Sequence, residues 1–351
     1  MKTNKRKYLS LAVAMAALLA TPAYARLNPQ VSFTVSIPGA GPLAWDSVNN
    51  VLLVGTATTL YAIAPASQAI VASQGMQSNQ QVAYDSVRNM IWTVGCGSAG
   101  CEATEVSATQ FLLNPGSAPT TTIALSPGAT SVALDIKDAE AWITTGTGSV
   151  SEYSYSGGSV NYVQTISTPD GEPANNLLFI PGAGPGLFVM TSYVTNNTPV
   201  SSWWFWSTLE SAWVWYGPDS GWYFTLEVGI PAYNSYYGVV MIPGQFATLY
   251  ELNYPSELFM GDEYILNDAN DNGQYLTTIN SSVATLGGVS SIIEQKALYG
   301  HNQVMVFSTL DVAESYMPLP GITVPGAYYN AIGGNLVWTS GAGVVTAITY
   351  N

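Results

Sequence analysis

Three observations predict an all-β protein of the β-propeller class, with about seven four-stranded blades. A strand–turn–strand unit recurs along the chain, and its turn opens on an aspartate. Short runs rich in Val, Ile, Thr, Tyr and Trp alternate with Gly, Pro, Asn and Ser clusters, which is the pattern of strands and turns. Helical periodicity is almost absent, and the 33 glycines and 20 prolines are spread without a linker-like block.

The repeat is clearest in three segments. LAWDSVNNVLLV covers residues 43–54, VAYDSVRNMIWTV residues 82–94 and VALDIKDAEAWIT residues 132–144. Each reads as a strand, a turn led by Asp46, Asp85 or Asp135, and a second strand. An Asp in that place accepts hydrogen bonds from turn N–H groups, so these three are expected to be turn residues rather than catalysts. A degenerate copy runs from Tyr328 through Gly333-Gly334-Asn335 to Leu336-Val337-Trp338-Thr339.

Further strand pairs near residues 178–190, 232–242 and 289–307 bring the count to about seven, with six or eight as neighbouring solutions. Seven units over residues 26–351 give roughly 47 residues each, close to the roughly 40–50 of a four-stranded blade. The last unit ends after its third strand, near Tyr350. Val31–Ile37 with Pro38-Gly39 resembles Thr121–Leu125 with Pro127-Gly128, ahead of the third Asp unit. The N-terminal strand is therefore expected to complete the last blade and remove a free sheet edge.

Residues 1–25 read as a signal peptide. Lys2, Lys5, Arg6 and Lys7 precede an apolar run from Tyr8 to Ala20, and Ala23-Tyr24-Ala25 offers a cleavage site. The run is too short to span a bilayer of about 30 Å, and no other stretch is apolar enough to do so. Residues 26–351 are then one exported domain, periplasmic or extracellular, with no transmembrane segment.

That domain keeps four basic residues, Arg26, Arg88, Lys137 and Lys296, against 22 carboxylates. Such a surface excludes nucleic acid and anionic lipid as partners. The scarcity of cations has a second consequence. Near pH 2 the carboxylates are neutral and few positive charges remain to repel one another, so the chain suits an acidic exterior. The competing reading is an ordinary periplasmic or secreted protein with an uncharged polar surface. Cys96 and Cys101 flank a Gly-rich turn, and in an oxidising compartment they are expected to form a structural disulfide.

The three Asp units resemble the repeats of YncE/YVTN and NHL-type propellers, which place an Asp after the innermost strand. The resemblance covers about three blades and implies the fold rather than a chemistry. The longer blade motif of the quinoprotein relatives is absent, so a bound quinone is not implied.

Two segments are candidate sites. Asp268-Ala269-Asn270-Asp271-Asn272-Gly273 matches the first half of a calcium loop, with Asp268, Asn270 and Asn272 as side-chain ligands. The twelfth position is Ile279 where an EF-hand needs Glu, so a plain Asn/Asp turn is the alternative. The segment 203–223 carries Trp203, Trp204, Trp206, Trp213, Trp215 and Trp222, on a hairpin of Trp203–Ser207 and Ala212–Tyr216. It is either packed between blades or an exposed platform for sugar rings or a partner. The single histidine, His301, lies in a turn-like context and no nucleophile elbow occurs. The expected function is therefore binding, to an envelope component, a carbohydrate or a protein. The rival is a hydrolase using carboxylates at the propeller mouth, on a glycoside or an inorganic sulfur compound.

Overall fold

The computed structural model describes residues 27–76, 79–182, 184–195, 198–217, 230–235, 238–243, 248–253, 261–265, 267–268, 278–296, 301–308, 318–319 and 321–350. Residues 43–75, 81–125, 132–167, 174–217, 232–265 and 278–323 supply six four-stranded antiparallel sheets, blades 1 to 6. Blade 7 combines residues 329–350 with the N-terminal strand Pro29–Ser36. The first strands of the blades touch in chain order, and that of blade 7, Tyr329–Gly333, also touches that of blade 1, Leu43–Asp46.

The Asp-led turns form for a local reason. Asp46 Oδ1 accepts from the N–H groups of Val48 at 3.0 Å and Asn49 at 2.8 Å. Asp85 Oδ1 does the same for Val87 and Arg88, and Asp135 Oδ1 for Lys137 and Asp138. The last turn residue enters the left-handed region, with φ of 55° at Asn50, 57° at Asn89 and 61° at Ala139. Asn tolerates that conformation better than most residues, which accounts for its recurrence there. Blade 7 differs: Gly334 and Asn335, with φ of 62° and 59°, make a two-residue turn that matches strand twist. Its lost Asp is thus a shorter turn.

These turns also join neighbouring blades. Asn49 Nδ2 donates to Asp46 Oδ2 at 2.7 Å and to Asn89 Oδ1, in the next blade, at 2.9 Å. Arg88 Nη1 donates to Asp85 Oδ2 at 3.2 Å and to Ile136 O of blade 3 at 2.6 Å. Tyr155 of blade 3 donates its hydroxyl to the same buried carboxylate at 3.0 Å.

The second strand of each blade is sandwiched between neighbours. Val51–Gly55 and Leu336–Gly341 are buried throughout, as continuous apolar runs require. Leu53, Trp92, Trp142 and Trp338 hold the same place in their units, and all four are fully buried. A short helix, Ala108–Leu113, was not apparent in the apolar pattern. Ser107 Oγ accepts from Gln110 N at its start, and Phe111 fills the core shared by blades 1 and 2.

At the seam, Pro29–Ser36 pairs with Val344–Tyr350, from Pro29 opposite Tyr350 to Ser36 opposite Val344. Trp338 meets Phe33 edge-on at 5.6 Å and stacks on Trp45 of blade 1 at 6.3 Å. Gly333 makes room for this: a Cβ there would lie 2.1 Å from the Trp45 ring. The sequence likeness of the two Pro-Gly junctions is structural, because Pro29–Ser36 and Thr120–Leu125 are both outermost strands.

Cys96 and Cys101 are cross-strand partners joined by a disulfide at a hairpin tip in blade 2. The loop is small, so the bond should contribute about 2 kcal/mol. Urea unfolding with and without reductant measures it, and the Cys96→Ser, Cys101→Ser double variant should match the reduced protein.

Candidate functional site

Alternation along the tryptophan hairpin decides which indoles are available. Trp203 and Phe205 point toward blade 5 and are buried against Met190, Val240 and Ile242. Trp204, Trp206 and Trp213 point the other way and pack, half-buried, against Trp142, Val150 and Ile166 of blade 3. A register shift between Phe205 and Trp206 sets Trp206 opposite Trp213, ring centroids 5.4 Å apart at 73°.

Polar groups hold these rings. Trp213 Nε1 donates to Ser167 O at 3.0 Å, on the outer strand of blade 3. Trp204 Nε1 donates to Asp170 Oδ2 at 3.2 Å, and Thr191 Oγ1 donates to the same oxygen at 2.6 Å. An indole N–H that leaves water usually finds such an acceptor, which fixes the ring. The indoles are therefore oriented rather than free to rotate.

Carboxyl groups share this face of blade 3. Trp142, Glu152 and Gln164 are successive cross-strand partners, and Gln164 Nε2 donates to the buried Glu152 Oε2 at 2.6 Å. Glu140 lies two pairs along, opposite Ser154. Burial, followed by the charges of Glu152, Asp135 and Asp138, pushes its pKa up to about 7. Burial also raises Glu105, helped by Asp85, and raises Asp135 against the pull of its turn N–H groups. Glu140 and Glu152 lie on the second and third strands of blade 3, not on the innermost one where the propeller mouth would place a catalytic pair.

The remaining candidates fall elsewhere. Trp215 lies on the strand Ala212–Gly217, without a described side chain, and Trp222 is outside the described residues. Asp268 sits on Asn267–Asp268, which pairs in parallel with Pro318–Leu319; Asn270 and Asn272 lie outside the described residues. Among the described residues no group of three or more His, Cys, Asp or Glu is placed to hold a metal. His301 opens the strand His301–Ser308 opposite Lys296, a strand terminus rather than a turn. Glu140, Glu152, Gln164 and Asp170 were not singled out by sequence, since no motif marks them and only register unites them.

Seven four-stranded antiparallel sheets, with the N-terminal strand paired into the last, define a multi-blade β-propeller bearing an aromatic and acidic face between blades 3 and 4. Compared with known proteins, the chain matches no family model and no curated protein. No helix among the described residues is long and apolar enough to cross a membrane.

Proposed function

We propose that this chain is an exported binding propeller whose contact surface is the outer face between blades 3 and 4. The ligand class is an uncharged, hydroxyl-rich chain, such as an envelope glycan. The observation that carries this is the oriented pair Trp206 and Trp213. Indole faces suit the apolar faces of sugar rings, and Gln164, Glu152 and Asp170 add hydroxyl partners nearby. The leader-like N-terminus and the disulfide support export, and the repeats support kinship with YncE/NHL-type propellers at the level of fold.

Binding to a panel of envelope polysaccharides tests this by calorimetry. Trp206→Ala should weaken the best binder about tenfold, as truncation of an aromatic anchor does. Unchanged affinity in that variant, with the fold intact, would remove the site. The rival hydrolase, acting on a glycoside or an inorganic sulfur compound, would use Glu140 as general acid because it keeps its proton to about pH 7. Turnover lost in Glu140→Gln with binding retained would favour that rival.

A further inference from the structure

Among the described residues, the outermost strand of each blade has a strand partner on one side only. Its other side presents backbone N–H and C=O groups that can pair with another chain. Six of the seven outer edges carry a feature that hinders such pairing. One extra residue interrupts the register of four: Ser32 in Pro29–Ser36, Val71 in Ala69–Gly75, Val163 in Asn161–Ser167 and Val214 in Ala212–Gly217. Bulges of this kind bend and twist an edge away from a would-be partner. The outer strand of blade 5, Gly261–Ile265, carries Asp262 and Glu263, and that of blade 6, Gly321–Thr323, is only three residues long.

The edge of blade 2 has none of these features. Thr120–Leu125 pairs residue for residue with its neighbour, from Thr120 opposite Val106 to Leu125 opposite Cys101, without a register shift. Its sequence TTTIAL has no charge and no proline, and no charged residue occurs from Val106 to Leu134. Thr120, Thr121, Thr122 and Ala124 are exposed. Thr and Ile favour the extended conformation, so the strand is suited to further pairing.

We infer that Thr120–Leu125 is a dimerisation edge, which pairs antiparallel with the same strand of a second copy and joins two four-stranded sheets into one of eight. Two features select a second copy. Each chain offers this one unhindered edge, so two copies satisfy each other and assembly closes at two. Antiparallel pairing about Thr122 also sets Thr122 opposite its own counterpart and Thr121 opposite Ile123, both favourable cross-strand pairs. The chain as a whole is negatively charged, and the charge-free strand with its flanks is where two copies can touch without like charges meeting. The remaining long-range repulsion is screened by salt. The tryptophan face belongs to blades 3 and 4, so the two readings stand or fall separately.

Sedimentation equilibrium of the exported chain at pH 7 should show a monomer–dimer equilibrium with a dissociation constant of about 100 µM, as suits one strand pair. Association should tighten as salt is raised. Thr122→Lys, which sets two ammonium groups opposite each other, should weaken the dimer about fivefold, and Thr122→Glu likewise. An equimolar mixture of these two variants should recover at least the wild-type affinity, which also shows that both fold. Thr122→Val, which keeps the β-branch, should dimerise as the wild type does. In the wild-type protein, amide exchange within residues 120–125 should slow as concentration passes the dissociation constant, while that of Ala69–Gly75 stays unchanged. Monomer alone at about 1 mM, or a dimer that Thr122→Lys leaves intact, would overturn the inference.

Discussion

Trp338→Ala should lower the unfolding free energy by about 3–5 kcal/mol, the usual range for deleting a fully buried Trp. Trp338 sits where three parts of the chain meet. Its ring touches Phe33 of the N-terminal strand and Trp45 of blade 1, and its Nε1 donates to Gly333 O at 3.1 Å. Truncation opens a cavity on both sides of the seam at once. The close approach of Gly333 to Trp45 leaves little room for collapse to fill it. Urea unfolding gives the number, and a loss below about 1 kcal/mol would mean the seam is not held by this contact. The N-terminal strand should then also become more susceptible to protease in the variant.

Stability should fall as pH rises from about 4.5 to about 7. Glu140 is the largest contributor. Its carboxyl ionises near the ordinary value in the unfolded chain but only at about 7 in the folded one. Below the unfolded pKa both states are protonated and no penalty exists. Above the folded pKa the native state carries an ionised, half-buried carboxylate beside Glu152, and the penalty is complete. The shift is worth about 2 kcal/mol after allowance for residual solvent exposure. Glu105 and Asp135, raised by burial, push in the same direction. Glu140→Gln should stabilise the protein by about that 2 kcal/mol at pH 8 and leave it unchanged at pH 4. A wild-type stability curve that rises between pH 4.5 and 7 would contradict the assignment. The direction accords with a chain short of cations.

Much of the fold was legible because it is written in local order. Asp46, Asp85 and Asp135 bond to N–H groups two and three residues ahead, so a short window of sequence carries the whole signal. The missing strand after Tyr350 could be inferred because a three-stranded last unit leaves an edge, and residues 31–39 resemble another outer strand. The tryptophan hairpin was legible as two apolar faces, but not as to which neighbour each face would meet. That depended on the register shift at Phe205–Trp206 and on the blades to either side.

By itself, the sequence determined the repeating unit, its Asp turns, a count of about seven blades and the strand that completes the last blade. All of these follow from short-range hydrogen bonding and period-two burial. Tertiary structure alone decided that Trp203 is core, that Trp206 and Trp213 pack half-buried against the blade 3 side, and that Glu140 comes under the charge of Glu152. The physical reason is common to all three. Each depends on cross-strand register or on the packing of one blade against the next, and neither is encoded in the spacing of residues along the chain.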